Sequence, residues 1–196
     1  MYLVSRPGAD EIRAFLTAQK DQPFSYAHVG ASRERPPKGY TVDHNRVRLG
    51  AGLDAFERAV KAIREWKMFA MPWVQLCWPD APIQEGATVG VLVKHLGFWS
   101  LNATRIVYVV EEMGPDKRFG FAYGTLLEHG ERGEERFTVE FHAKDQSVWY
   151  DLIAFSQPNL LARLGYPFAR YLQKRFARDS KLAMQKAVND LQERTP

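Results

Sequence analysis

The densest group of side chains that could do chemistry lies in the segment LEHGERGE, between two stretches that alternate like β-strands. His129, Glu131, Glu134 and Glu135 fall close together there. An imidazole near carboxylates can bind a metal ion or transfer protons. A hairpin tip is also commonly charged for solubility, and Glu134 or Glu135 can instead accept hydrogen bonds from the backbone of a neighbouring loop. His129, Glu134 and Glu135 therefore form a candidate polar site whose role the sequence leaves open.

Tyrosines supply a second set of polar atoms, predicted to lie inside the protein. Tyr108, Tyr123 and Tyr150 each have the parity that the alternation of their strand turns inward. A buried tyrosine hydroxyl needs a partner, so in a cavity it would orient a ligand, and in a filled core it would bond to the backbone or to water. His142 and Asp151 have the opposite parity and are predicted to face solvent.

Sequence motifs of the common enzyme classes are missing. The chain has no H-E-x-x-H, C-x-x-C or G-x-S-x-G pattern, and no Rossmann glycine pattern at a strand-to-helix junction. Gly50-Ala51-Gly52 lacks the later glycine and the Lys-Ser/Thr pair of a phosphate-binding loop. Cys77, the single cysteine, is predicted to be a small buried hydrophobe. We assign no catalytic residue from these patterns, and we expect neither a metal nor a cofactor.

The elements that must position these side chains centre on three strands between Arg118 and Ser156. RFGFAYGTL, ERFTVEFHA and SVWYDLIAFS each place bulky apolar residues at alternate positions and are joined by polar turns, as in an antiparallel meander. The alternation predicts one contiguous interior surface that contains Phe121, Tyr123, Phe137, Val139, Phe141 and Tyr150.

Further elements are predicted on both sides of this meander. Upstream strands are expected at Thr41 to Leu49, at Thr88 to His95 and from Gly97 to Glu112, giving about six strands in all. The remaining elements are an amphipathic helix from Leu53 to Met68, an apolar connection or short edge strand within 69–82, a covering helix capped by Ser5 and a loop within 1–39, and a long helix within 160–192.

The order of the elements predicts the fold class. A strand, a helix, a meander of strands and a long terminal helix indicate one α+β domain over 1–196, in which a curved antiparallel sheet wraps the C-terminal helix. This arrangement is the helix-grip fold. Leu172 and Phe176 lie on the apolar face of the terminal helix and are expected to face the sheet.

Two long stretches also resemble a known family. RFGFAYGTLLEHGERGEERFTVEF and SVWYDLIAFSQP are similar to the signature of the DUF1990 family, and GYTVDHNRVRLGAGLDAFERAVKAIREWKMF is similar to its N-terminal pattern. The family itself resembles START and Bet v 1-like helix-grip domains. This resemblance implies an apolar ligand cavity between the sheet and the last helix. The candidate ligand-binding residues are then Tyr108, Phe121, Tyr123, Phe137, Val139, Phe141, Tyr150 and Leu172.

The charge distribution bears on partners and location. Residues 160–196 carry eight Lys or Arg against three acidic residues. A basic helix can contact nucleic acid or an acidic membrane, but these charges are spread over several turns, which favours a solvated face and no nucleic-acid partner. No apolar run is long enough to span a bilayer, and the N-terminus lacks the apolar core of a signal peptide, so we expect a cytoplasmic protein. The pattern specifies no oligomeric state.

The favoured function is a binding module for a small apolar or amphipathic molecule. The alternative is a cyclase- or hydrolase-like enzyme that uses the cavity tyrosines or the cluster of His129, Glu134 and Glu135. A third hypothesis, a contact with nucleic acid or a membrane through the terminal helix, is the least favoured.

Overall fold

The computed structural model of the chain describes residues 1–158 and 166–193, and it is built around one antiparallel sheet. The strands are β1 (Tyr2–Leu3), β2 (Thr41–Ala51), β3 (Val74–Cys77), β4 (Thr88–Lys94), β5 (Trp99–Met113), β6 (Lys117–Thr125), β7 (Glu131–His142) and β8 (Ser147–Pro158). The helices are α1 (Ala9–Gln19), α2 (Leu53–Arg64) and α3 (Tyr166–Glu193), with short 3-10 turns at Ala31–Arg33 and Lys67–Phe69. The helical start predicted at 160–164 lies outside the described residues.

The sheet runs in the order β2-β8-β7-β6-β5-β4-β3, and β1 pairs with β5. All pairs are antiparallel. Helices α2 and α3 pack on one face, which we call the concave face, while α1 and the loop 24–40 cover the other, convex face. The predicted α+β helix-grip architecture is confirmed. Within the described ranges, none of the helices is both long enough and apolar enough to cross a bilayer.

The register of the central strands places the predicted interior residues together. Phe121 is paired with Phe137, and Val139 with Tyr150, so the members of each pair share a face. All six residues of the predicted interior surface belong to one buried cluster, into which α2 contributes Phe56 and Ile63. The predicted register of the meander is therefore confirmed.

Tyr108 and Asp151 do not have the surroundings that their parity predicted. A bulge in β5 between Ile106 and Tyr108 shifts the alternation by one residue, so Ile106 joins the concave core while Tyr108 lies on the convex face. Asp151 also lies on the convex face but is buried there, because its carboxylate receives the guanidinium of Arg136 at 3.2 Å and the ring of His44 at 2.6 Å. A charged partner, which parity cannot reveal, makes that burial tolerable.

The number and bounds of the strands also differ from the prediction. The sheet has eight strands because β3, the short edge strand that was one of the alternatives predicted within 69–82, pairs with β4, and the short β1 pairs with β5. Strand β7 begins at Glu131 rather than at Glu135, since the carboxylates near its start have hydrogen-bond donors within the fold. Helix α1 begins after Gly8, and Ser5 does not cap it.

A smaller core lies between α1 and the convex face of β4 and β5. Ile12 and Leu16 of α1 pack there with Cys77, Leu92 and Leu101. Gly90 permits this approach, since a Cβ at that position would lie 3.2 Å from a methyl group of Leu16. The predicted covering role of α1 is confirmed, as is the burial of Cys77, where desolvation raises the pKa of the thiol to about 11.

Substitution of Phe137 tests whether the concave face forms the main core. The side chain of Phe137 is fully buried among aromatic rings, including Phe69 and Phe121. Phe137→Ala should lower the free energy of unfolding by about 3–5 kcal/mol, because it removes apolar contact and leaves a cavity. Urea denaturation measures this loss. Leu182→Ala, on the exposed side of α3, should change stability by less than about 0.5 kcal/mol, and an equal effect of the two substitutions would contradict the assigned core.

Candidate functional site

An apolar cavity of about 430 Å³ lies between the concave face of the sheet and the first half of α3. Strands β3 to β8 supply its floor and α3 its roof. Its apolar walls include Phe69, Trp73, Val91, Val93, Phe98, Phe168, Leu172 and Phe176. Trp73 is held against α3 because its indole N–H donates to Asp179 at 2.9 Å and Arg175 lies over its ring.

A row of residues crossing four strands separates this cavity from the packed core. Tyr123 of β6, Glu135 of β7, Ala154 of β8 and Asp43 of β2 are successive register partners. In the next row along the sheet, Phe121 and Phe137 are completely buried, while Leu152 and the half-buried Asn45 still contact the cavity. The row of Tyr123 and Glu135 therefore lies where the cavity meets the packed core.

Glu135 and Tyr123 form a hydrogen-bonded pair at this end. The Tyr123 hydroxyl donates to Oε2 of Glu135 at 2.7 Å. Burial raises the pKa of the Glu135 carboxyl to about 8, and the nearby carboxylates of Glu131 and Asp43 raise it further against the opposing effect of the Tyr123 hydroxyl. At neutral pH Glu135 is consequently a protonated acid. Burial beside Glu135 also raises the pKa of Tyr123 well above its ordinary value.

Helix α3 contributes polar groups to the same end of the cavity. Arg170 binds both carboxylate oxygens of Asp43, with Nη2 at 2.7 Å from Oδ1. Gln173 donates to the Ser156 hydroxyl at 3.0 Å, and both side chains lie near Glu131, whose pKa is raised mainly by burial. Arg170 is therefore paired with the sheet beside the cavity and does not belong to the solvated face predicted for the basic residues of this helix.

A second group of contacts fixes α3 farther along the sheet. The hydroxyls of Tyr150 and Ser180 are 2.8 Å apart in the core, and Lys181 donates to Oδ1 of Asn45 at 3.2 Å. These contacts position the helix across β2 and β8, so the roof of the cavity is held by hydrogen bonds as well as by apolar packing.

His129 lies at the rim of the cavity with its ring neutral. Its Nδ1 accepts a hydrogen bond from the Glu131 backbone N–H at 3.0 Å. Burial lowers the pKa of the imidazole to about 4, and the positive Met1 amino group lowers it further. Among the described residues, no group of three His, Cys, Asp or Glu side chains could hold a metal ion.

Glu134 lies on the convex face, away from Glu135. Its carboxylate accepts hydrogen bonds from the Tyr26 hydroxyl at 2.7 Å, from the backbone N–H groups of Gly30 and Ser32 at 2.7 and 3.0 Å, and from the Ser32 hydroxyl. The Ser32 hydroxyl is also 2.7 Å from the hydroxyl of Tyr108. Of the roles considered for the acidic segment, capping the backbone of a neighbouring loop is the one that Glu134 performs.

The structure divides the sequence-predicted site residues into two groups. Tyr123, Leu172, His129, Glu134 and Glu135 are lining residues of the cavity. In the described chain, the cavity wall does not include Tyr108, Phe121, Phe137, Val139, Phe141 or Tyr150. The last five form packed core instead, while Tyr108 lies on the other side of the sheet.

Sequence reasoning missed Asp43, Arg170 and Gln173 as residues of the site. For Asp43 a signal was present, since it has the same parity in β2 as the apolar Val47 and thus points to the concave face. For Arg170 and Gln173 the deciding factor is the position of α3 across the sheet, which no local pattern specifies.

Comparison with known proteins identifies the family. The model of the family described as "Domain of unknown function (DUF1990)" matches residues 25–183. The chain belongs to the DUF1990 family. A UPF0548 protein of Dictyostelium discoideum is 36% identical to it over 98% of both chains. A UPF0548 protein of Deinococcus radiodurans is 39% identical over 91% of this chain and 94% of its own length.

A solved structure agrees with the architecture of this DUF1990 chain. The crystal structure of Ara h 8.0201 aligns with a TM-score of 0.51 at 12% identity, and the match covers 78% of this chain and 99% of that one. At this level of identity the likeness concerns the fold alone, and it supports the helix-grip assignment.

The protonated Glu135 of this DUF1990 protein predicts a pH-dependent stability. Its pKa in the folded state is about 8, above the ordinary value of 4.5, so the unfolded state loses this proton first as the pH rises. The contribution of Glu135 to the free energy of unfolding should therefore fall between those two pH values. Glu135→Gln removes the titration, so the variant should gain stability relative to the native protein on going from about pH 5 to about pH 9.

Urea denaturation across that pH range is the measurement. Glu57→Gln, at an exposed position on α2, serves as the matched control and should track the native protein. Parallel pH profiles for native protein and Glu135→Gln would show that Glu135 titrates normally.

The loop 24–40 provides a separate test of Glu134. Glu134→Ala leaves the N–H groups of Gly30 and Ser32 without their acceptor, at a cost of about 1–3 kcal/mol. Trypsin should then cleave faster after Arg33 than in the native protein, as followed by mass spectrometry. Glu57→Ala should leave the cleavage rate unchanged, and an unchanged rate in Glu134→Ala would argue against the anchoring role.

Proposed function

We propose that this protein is a binding module for a small apolar or amphipathic molecule, held in the cavity between the sheet and α3. The observation that carries the proposal is the cavity itself. Its volume of about 430 Å³ falls within the range of small-molecule sites, roughly 300–1,000 Å³. Its wall is mainly aromatic and aliphatic, with polar side chains near Glu135 and also beside β4 and β5, where His95 and Asn102 lie, and a largely apolar wall with some polar groups is usual in such sites.

The packing next to the cavity strengthens this argument. Phe121 and Phe137 fill the adjacent part of the concave face, and both side chains are fully buried. The same sheet thus ends its packed core at the row of Tyr123 and Glu135 and leaves space beyond it. An apolar molecule in that space would remove the apolar wall from water and make dispersion contacts with it, and both effects favour binding.

The enzymatic alternative receives less support from the geometry. Glu134 is already saturated by the loop on the opposite face, and His129 uses Nδ1 to bind its own loop. Of the lining residues considered for that reaction, Tyr123 and Glu135 are the pair whose polar side chains meet in the cavity. A hydrogen-bonded acid and phenol in an apolar pocket can also orient a ligand, so binding is the simpler role.

Thermal unfolding with 1-octanol as a neutral probe tests the proposal. A ligand that binds only the folded state stabilises it by about 2.7 kcal/mol at a hundredfold excess over its dissociation constant. The midpoint temperature should therefore rise with octanol concentration. Leu172→Trp, which places a larger ring in the cavity, should reduce this shift.

Leu182→Trp is the matched control because Leu182 lies on the exposed side of the same helix. It should leave the octanol shift intact. Equal shifts in the two variants, or no shift in the native protein with octanol or other apolar compounds, would count against a ligand cavity.

A further inference from the structure

The polar end of the cavity has an unbalanced set of charges. Three carboxyl groups, those of Asp43, Glu131 and Glu135, lie there with the guanidinium of Arg170. Arg170 is bound by both oxygens of Asp43, so its charge is largely neutralised within that pair. Glu131 and Glu135 are left as the acidic groups that meet a molecule entering the cavity.

Glu135 is the carboxyl best placed to contact a ligand. Tyr123 is the side chain that hydrogen-bonds to it among the described residues, and that bond occupies Oε2. A carboxyl group can accept at both oxygens, so part of the capacity of Glu135 is unused while the group lines the cavity. Around it the walls are apolar, with Phe69 and Phe176 among them.

We propose that the cavity selects amphipathic molecules that carry a protonated amine, and that the Glu135 carboxylate receives the ammonium group while the apolar part lies against α3. This inference rests on the proposed function and narrows its ligand class. The chemical basis is that an ammonium donates charge-assisted hydrogen bonds to a carboxylate, which in a water-poor site are stronger than bonds between neutral groups.

Ligands with a hydroxyl, a carboxylate or an ammonium head group should differ strongly in their affinity for this site. A hydroxyl would gain one neutral hydrogen bond with Glu135. A carboxylate would face Glu131, which already disfavours the ionisation of Glu135, and this like-charge repulsion is weakly screened inside a cavity. An ammonium would instead offset the acidic excess and fill the unused acceptor positions of Glu135.

Binding of an amine is coupled to the ionisation of Glu135. Without a ligand, burial keeps the pKa of this carboxyl near 8, so it holds a proton at neutral pH. When an alkylammonium docks, Glu135 releases that proton to solvent and becomes the anion. Amine affinity should therefore rise as the pH approaches 8, provided that the amine itself remains protonated.

Other groups around Glu135 do not reverse the predicted rise of amine affinity with pH. Arg170 is paired with Asp43, Lys181 donates to Asn45, and His129 has a lowered pKa that keeps it neutral. Among the described residues, further titratable neighbours are Tyr123 and Tyr150, whose hydroxyl pKa values are raised by burial, and Glu131, which disfavours the ionisation of Glu135.

Isothermal titration calorimetry with octylamine, 1-octanol and octanoate tests the inference, since the three probes share one alkyl chain. Octylamine should bind native protein about tenfold or more tightly than 1-octanol, as expected for a charge-assisted bond, and octanoate should bind most weakly. In Glu135→Gln, which removes the carboxylate but keeps a side chain that can hydrogen-bond, the ratio of octylamine affinity to 1-octanol affinity should fall to about one. Glu57→Gln, a surface control that removes the same charge, should keep the native order of affinities.

The outcomes separate this inference from the proposed function. If 1-octanol binds but octylamine shows no advantage, or keeps its advantage in Glu135→Gln, the amine assignment is wrong and the apolar binding module stands. Tightest binding of octanoate overturns it in the same way. If none of the three binds, both proposals fail. An octylamine affinity that rises from about pH 6 to about pH 8, with release of a proton, supports the role of Glu135 directly.

Discussion

The alternation of side chains along β7 is the constraint on which the rest of the structure depends. Consecutive residues of a strand point to opposite faces, so Glu134 and Glu135, adjacent in sequence, serve different sides of the sheet. Glu134 holds the covering loop on the convex face, and Glu135 forms the polar end of the cavity. A shift of one residue in register would exchange them and place Phe137 in the loop's environment.

Close backbone contacts hold this register in place. A Cβ at Gly133 would lie 1.9 Å from the carbonyl oxygen of Phe155, and one at Gly120 would lie 2.0 Å from that of Phe137. Gly124 has a different neighbour, the hydroxyl of Tyr26, which is the group that reaches Glu134. Gly133, on the concave face, and Gly120, on the convex face, thus allow close strand contacts, and Gly124 allows the approach of the loop that Glu134 anchors.

The concave face divides into a filled part and an open part for a related reason. Aromatic residues of β6 and β7 meet α2 and the 3-10 turn at Lys67–Phe69, and together they leave no space. Beyond the row of Tyr123 and Glu135, the roof is α3 alone, fixed by Arg170 to β2 and by Ser180 to β8. A single helix over a wide curved sheet leaves a space, and the carboxyls at its edge give that space a chemical preference.

The sequence by itself determined the parts of this protein that depend on local periodicity. Alternation in the meander specified that Phe121, Phe137 and Tyr150 turn inward, and the order of the elements specified the helix-grip architecture. The tertiary structure decided the rest. The bulge before Tyr108 and the boundary between filled core and cavity depend on how strands and helices approach one another. The pairing of Asp43 with Arg170 joins residues far apart in the chain, and the burial that keeps Glu135 protonated arises only when four strands and α3 enclose one carboxyl. Local patterns carry the direction of each side chain, whereas its neighbours, and therefore its charge, are set by contacts across the whole fold.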